Sequence, residues 1–316
     1  MFISFYTSRI VLKALGVEDY GIYNVVGGIV GMLAFVNGSM SLATNRYLTF
    51  ALGKGDKDLL ERTFNTAVVI HGIIALAILL LGETVGMWYF YNYLNIPSES
   101  MELAMWVYQL SIITAMMSII NVPYTALVTA HEDMGVYAYL SLAEGAFKLG
   151  IAFLLTISVF ANIKWYAIFT FLLSVLVFFF WRILDAKKYP YCRFKGHFDR
   201  PLFKEMFGFV SWQLVGSISW VFRNQGANLV LNYFFGPVLN TARSLSIQVN
   251  GGVTSLVSNF QTASNPQIVK HFSQNDVESM QRLLFRSSKM SFILLFVFAF
   301  PIIWEVEPIL RFWLHN

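Results

Sequence analysis

The residues best suited to chemistry are arginines embedded in apolar runs. Arg243 is followed at helical spacing by Ser246, Asn250, Thr254 and Gln261, a polar stripe down one face. A guanidinium fork donates two parallel hydrogen bonds to neighbouring oxygens, which suits a phosphate. The plainer reading is an arginine near a helix end reaching for lipid headgroups. Arg223 stands in a run where Gln213, Ser217, Asn224 and Asn228 share a face. It projects roughly 100° away from that cluster, towards a cavity edge or a neighbouring helix. Arg46 closes another run, as a cation at a cavity mouth or as a plain interfacial anchor. Glu144 and Lys148 are four residues apart, with Tyr137 and Ser141 on the same face. An ion pair there lowers the cost of both charges, and a coupling role for Glu144 is the sharper alternative. Glu83 precedes Trp88, Tyr89, Tyr91 and Tyr93, which read as an interfacial aromatic belt.

The elements that position these residues are membrane spans. Of 316 residues, 57% are hydrophobic and 13% charged, with a mean hydropathy of +0.59. Soluble domains carry about 25% charged residues, so this chain has too few to coat a water-facing surface. Apolar stretches reach the roughly 20 residues needed to cross a hydrocarbon core about 30 Å thick. Spans are expected at about 1–13 (partial), 20–44, 64–92, 101–128, 136–161, 165–184, 206–234, 238–261 and 283–304. Turn chemistry parts them at Gly16, Gly53 and Gly55, Asn95-Ile96-Pro97, Gly135, Asn162, Tyr189-Pro190, Gly236-Pro237 and Asn265-Pro266. The fold class is therefore all-α, a polytopic transmembrane bundle. A soluble enzyme is excluded, and a membrane glycosyltransferase lacks its cluster of carboxylates. The five histidines (His71, His131, His197, His271, His315) have no ligand spacing, and a lone Cys192 forms no internal disulfide. No metal and no cofactor is expected.

Charge orients the bundle. Of the 22 lysines and arginines, Arg46, Lys54, Lys57 and Arg62 fall in 45–62. Arg182, Lys187, Lys188, Arg193, Lys195, Arg200 and Lys204 fall in 182–204. Lys270, Arg282, Arg286 and Lys289 fall in 266–289. The intervening connections near 93–100, 162–164 and 235–237 hold only Lys164. Loops 45–62, 129–135, 186–204 and 262–282 are therefore expected to be cytoplasmic. The sequence pI of about 9.0 reflects these loops rather than a nucleic-acid-binding face.

A faint repeat recurs at an offset of 220 residues: Gly16 with Gly236, Ala43-Thr44-Asn45 with Ala263-Ser264-Asn265, and Asp56, Asp58 and Arg62 with Asp276, Glu278 and Arg282. An even number of spans lies between the copies, so both point the same way, a parallel repeat of the kind transporters use. The expected organisation is an N-terminal lobe over 1–185, a basic cytoplasmic linker over 186–204 and a partial C-terminal lobe over 205–316. A complete first lobe would begin roughly 20 residues before Met1, and a complete second would need roughly 90 beyond Asn316, so a truncated chain is expected. Gly27, Gly31 and Gly38 suggest close helix approach, and Pro123 suggests a kink. Ser111, Thr114, Ser118, Asn121 and Thr125 form a small-polar stripe, read as packing glue or as a cavity wall.

Several strings resemble the Wzx-type polysaccharide flippases. They are Tyr6-Thr7-Ser8-Arg9-Ile10-Val11-Leu12, Leu15-Gly16-Val17-Glu18-Asp19-Tyr20-Gly21-Ile22-Tyr23 and Ala43-Thr44-Asn45-Arg46-Tyr47, with Asn232-Tyr233-Phe234-Phe235-Gly236-Pro237 and Ala263-Ser264-Asn265-Pro266-Gln267-Ile268. The superfamily that holds them also includes the MATE drug exporters and the lipid II flippases. The resemblance implies two six-helix lobes rocking around a central cavity. It implies export of polyprenyl-diphosphate-linked oligosaccharide units across the inner membrane for capsule, O-antigen or exopolysaccharide synthesis. It further implies the lipid bilayer as a partner and suggests polysaccharide polymerase machinery as another. Arg9 resembles a substrate-serving arginine late in the first helix of such relatives. The substrate set expected on this reading is Arg243, Arg46, Arg223, Arg9, Asn250, Asn224, Asn228 and Gln213. The alternative is a MATE-type exporter of cationic drugs, which needs buried carboxylates. Spans 206–234 and 238–261 contain none, and each contains an arginine.

Overall fold

The computed structural model describes residues 2–31, 34–94, 96–157, 162–196 and 199–309. Within them, the side chains of 2–5, 8, 17, 18, 24, 25, 28–31, 34–36, 39, 220–222, 224–226, 228–233, 235–242, 244, 245 and 248 are not described. The structure is 90% helical, with no strand among the described residues. In order, the helices are α1 (Phe2–Gly31), α2 (Ala34–Gly53), α3 (Lys57–Leu81), α4 (Met87–Tyr93), α5 (Met101–Ala130), α6 (Met134–Leu154), α7 (Ile163–Lys188), α8 (Arg200–Ser273) and α9 (Val277–Trp304). A π-helical turn, Gly82–Gly86, joins α3 to α4. Among the described residues, four stretches are long and apolar enough to cross a membrane: Lys57–Tyr93, Ser98–Ala130, Ile163–Lys188 and Val277–Trp304. They contain the expected spans 64–92, 101–128, 165–184 and 283–304. The described residues of the other expected spans are helical too, apart from 155–157 at the end of 136–161.

Gly16 interrupts α1 with φ 83° and ψ 170°, where the sequence places a turn. Only glycine adopts that backbone without strain. Pro123 lies inside α5, and the helix continues past it to Ala130. Gly236-Pro237 behaves differently from expectation: the helical backbone of α8 runs through it. At about 1.5 Å per residue, the 74 residues of α8 trace roughly 110 Å of helical path, several times a bilayer core. That path has room for two crossings, and the helix does not stop where the sequence places a turn.

The chain forms two compact units, one of Met1–Leu48 with Asp56–Val215, the other of Thr49–Gly55 with Gly216–Asn316. In the first unit, Met40 and Ala43 of α2 pack with Ala67, Ile70 and Ile78 of α3, Ile119 and Val122 of α5, and Met206 and Val210. A neighbouring cluster joins Val26 of α1, Phe90 of α4, Val107, Tyr108 and Ile112 of α5, and Ile163 and Ala167 of α7. The Tyr108 hydroxyl donates to Gly82 O at 2.7 Å, satisfying a carbonyl of the π turn. Trp88, Tyr89, Tyr91 and Tyr93 beyond that turn are all exposed, as an aromatic belt requires.

The basic stretch after α7 is tied to the start of α3. Lys195 Nζ lies 2.7 Å from Glu61, Arg62 3.2 Å from Asp199, and Asn65 bonds both Arg193 O and Lys195 N. All of 186–204 falls in the first unit.

In the second unit, α9 buries almost none of its apolar surface. Its start repeats that of α3 with the 220-residue offset seen in the sequence. Asp56 caps α3 by accepting from Leu59 N at 3.0 Å, and Asp276 caps α9 by accepting from Ser279 N at 3.1 Å. The residue before each cap has positive φ, 71° at Gly55 and 58° at Asn275. Arg62 pairs with Asp58 at 2.9 Å, and Arg282 with Glu278 at 2.7 Å.

Candidate functional site

Helical spacing puts Ser111, Thr114, Ser118, Asn121 and Thr125 on one face of α5, and in the first unit that face opens onto a cavity of about 1580 Å³. The stripe is a cavity wall rather than packing glue. Tyr137, Ser141, Glu144 and Lys148 of α6 face the same space, as do Tyr166, Thr170, Ser174 and Trp181 of α7. Thr7, Tyr20, Tyr23 and Gly27 of α1 and Asn37, Gly38 and Ser41 of α2 also line it. The close-approach reading of the glycines therefore changes. A Cβ at Gly27 or Gly38 would meet nothing within 4 Å, so these glycines widen a cavity instead of admitting a helix. Gly31 lies outside the described side chains.

Glu144 and Lys148 form the expected pair, with Lys148 Nζ 3.8 Å from Glu144 Oε2 and both side chains partly exposed. Asn37 Nδ2 donates to Ser118 Oγ at 2.6 Å, tying α2 to α5 across the wall. Two aromatic pairs also line the space, Tyr23 with Tyr166 at 4.6 Å and Tyr137 with Trp181 at 6.5 Å between ring centroids.

Sequence reasoning missed the support behind this wall. Arg182, which the charge pattern groups with the loop residues, stands behind the wall. Its Nη1 donates to Asn121 Oδ1 at 3.0 Å, and its guanidinium lies 3.6 Å from the Phe178 ring centroid and 4.5 Å from that of Tyr124. Asp185, one turn on, is 2% exposed, and neither carboxylate oxygen has a hydrogen-bond partner. His71 is also buried, its Nδ1 2.7 Å from Ala67 O and its Nε2 without a partner. The spacing of Arg182 and Asp185 on one helix face was the available signal.

Just outside the spans, Asp133 sits at the α5–α6 turn. Lys188 Nζ approaches it at 2.8 Å, and the Tyr189 hydroxyl donates to it. Burial works to raise the Asp133 carboxyl, but the hydrogen bonds from Lys188 and Tyr189 and the Lys188 charge outweigh it and hold it below its ordinary value. His131 stacks on Tyr189 at 4.1 Å, with Nε2 2.8 Å from the Tyr191 hydroxyl. Burial pushes the neighbouring Cys192 thiol up to about 12.

The arginines singled out by sequence occupy other places. Arg9 and Arg46, in the first unit, are exposed and outside the cavity lining; Arg46 lies over the Phe209 ring at 4.8 Å. Gln213 is half-buried at the end of that unit. In the second unit Arg223 is exposed, whereas Arg243 is half-buried, its Nε buried without a hydrogen-bond partner. Asn250, with Ser246 and Thr254, borders a hollow of about 520 Å³ whose other wall is Leu295, Ala299 and Ile302 of α9. Asn224 and Asn228 lie outside the described side chains. Among the described residues, no group of histidine, cysteine and carboxylate side chains is placed to hold a metal ion.

No protein-family model matches the chain, and no curated protein is similar to it in sequence. Solved structures are similar in shape. A MATE transporter in complex with MaD3S superposes with a TM-score of 0.76 at 13% identity, over 92% of this chain and 66% of its own. An outward-facing multidrug resistance MATE family transporter of the MOP superfamily matches equally well, at 0.76 and 13%, over 96% of this chain and 68% of its own. A MOP superfamily transporter from Pyrococcus furiosus, titled for the reverse polarity of its binding pocket, matches at 0.74 and 14%, over 95% and 67%. The chain spans about two thirds of the length of the transporters it matches. Its fold is that of the MATE and MOP-superfamily transporters.

Proposed function

We propose that this protein is a membrane exporter that flips a polyprenyl-diphosphate-linked oligosaccharide by alternating access. The observation that carries the reading is charge. Residues 206–261 contain Arg223 and Arg243 and no acidic residue. An exporter of organic cations needs uncompensated carboxylates along its path, whereas a diphosphate needs cations with hydrogen bonds to give. In the first unit the carboxylate facing the cavity, Glu144, is partnered by Lys148. The Pyrococcus furiosus neighbour gives a precedent for a reversed pocket polarity within this fold.

On this reading the headgroup enters from the cytoplasmic side, where loops 45–62, 129–135, 186–204 and 262–282 carry the basic residues. The diphosphate engages Arg243, with Arg223, Arg46 and Arg9 along its route, while the lipid tail stays in the bilayer. The basic stretch 186–204 is the cytoplasmic segment that leads out of the first lobe. The protein serves capsule, O-antigen or exopolysaccharide synthesis at the inner membrane, upstream of a polymerase, and performs transport rather than bond chemistry. The multidrug exporter reading keeps one observation in its favour, the MATE neighbours themselves.

Headgroup translocation in proteoliposomes decides between them. The protein is expected to move a polyprenyl-diphosphate oligosaccharide, and Arg243→Ala to slow it at least roughly tenfold by losing a charged hydrogen-bond donor. Export of a cationic dye driven by sodium or protons, with no headgroup translocation, overturns the proposal.

A further inference from the structure

Five of the hydroxyls lining the first-unit cavity share one orientation. Ser111 donates to Val107 O at 2.7 Å, Ser141 to Tyr137 O at 2.9 Å, Thr170 to Tyr166 O at 2.8 Å and Ser174 to Thr170 O at 3.0 Å. Thr125 donates to Val122 O at 3.0 Å. Each hydroxyl has one proton and two lone pairs. With the proton spent on its own helix, it can offer the cavity only an acceptor. Asn37 adds to this, because its Nδ2 is used on Ser118 while Oδ1 lacks a hydrogen-bond partner. Lys148, the lysine in the lining, has its charge offset by Glu144 at 3.8 Å. These five hydroxyls therefore ask for a ligand that donates hydrogen bonds, while Tyr137, the Trp181 indole and Lys148 can donate in return, the mixed pairing an uncharged polyol offers. A diphosphate only accepts, so five acceptor hydroxyls give it nothing to bind. A quaternary organic cation has no protons to give and finds Glu144 already compensated.

We infer that this cavity receives the saccharide of the cargo, as an uncharged polyol, and leaves the diphosphate to the arginines elsewhere. The inference rests on the flippase reading. Sugar hydroxyls and acetamido N–H groups donate to Ser111, Ser141 and Ser174, and sugar ring faces lie against Tyr137 and Trp181, which present apolar area beside polar partners. The cavity, about 1580 Å³, exceeds the roughly 300–1,000 Å³ of ordinary small-molecule sites, leaving room for several sugar rings.

The test uses the protein in lipid nanodiscs and ligand-observed saturation-transfer NMR. The probes are chitotetraose and maltotetraose, which are neutral and free of lipid and phosphate, then geranyl diphosphate and tetraphenylphosphonium. Transfer to the ring protons of at least one tetrasaccharide is expected. The triple variant Ser111→Ala, Ser141→Ala, Ser174→Ala should weaken that binding at least roughly tenfold, as three lost hydrogen bonds imply. It deletes hydroxyls bonded only to their own helices, so it keeps the fold, and geranyl diphosphate binding should not change. No transfer to either tetrasaccharide, or saccharide binding indifferent to both the triple variant and Tyr137→Ala, overturns the inference. So does a triple variant that weakens geranyl diphosphate instead. Tetraphenylphosphonium binding that Glu144→Gln abolishes overturns it in favour of cation export. Headgroup translocation separates the two levels: if it persists at wild-type rate in the triple variant, this inference falls and the flippase reading stands. If the wild type shows none, the flippase reading itself falls.

Discussion

Lys148 Nζ stands 3.8 Å from Glu144 Oε2, one helical turn away, and both residues face the first-unit cavity. The cavity therefore contains a carboxylate without an uncompensated negative charge. Water reaches both side chains, so the pair adds little to folding and matters through the sign of charge it presents.

Glu144→Gln removes that compensation and leaves Lys148 as a lone cation. Thermal stability should move by less than about 1 kcal/mol, the range of an exposed pair. Headgroup translocation should stay within about twofold of wild type, since the lost interaction is small. If Glu144 were the coupling carboxylate of a cation exporter, transport would instead collapse at unchanged stability. Parallel melting and proteoliposome measurements separate these results.

Asp133 predicts a pH dependence whose sign is fixed. Its folded value lies below its ordinary value of 3.8, so the stabilisation is fully present above 3.8 and lost as pH falls through the lower, folded value. Acidification should therefore loosen the tether between the α5–α6 turn and the end of α7. Asp133→Asn should lower the melting temperature at neutral pH and flatten its fall at acid pH. A variant that keeps the wild-type acid profile would show that Asp133 does not carry it.

Gly53 ends α2 within the second unit, where a Cβ would lie 1.6 Å from Ser273 Oγ and 2.9 Å from Lys270 O. The serine hydroxyl can rotate away, but the backbone carbonyl cannot. Gly53→Ala should therefore destabilise by roughly 1–3 kcal/mol, as overpacking does. Adding Ser273→Gly should restore part of the loss, read as the melting temperature of the double variant against each single variant.

Much of the fold was legible because it follows from local rules. Apolar run length marked the spans, and Asn162 marked the turn at which α7 begins. Gly236-Pro237 misled because a proline can be held inside continuous helical backbone when its surroundings make up for the missing bond. The cavity was half legible. Periodicity put Ser111, Thr114, Ser118, Asn121 and Thr125 on one face, but whether that face meets a helix or empty space depends on neighbours remote in sequence. Arg182 and Asn121 show the limit: they bond across 61 positions of chain, and no spacing rule connects them.

The turns before α3 and α9 keep one geometry with different residues. Glycine in one copy is asparagine in the other at the positive-φ position, leucine answers serine where the cap is received, and lysine answers valine at the first helical residue. Only the aspartate and the arginine six residues later are the same. What the two turns share is a backbone shape and a capping hydrogen bond, which specify where a helix begins while leaving the side chains around them open to differ.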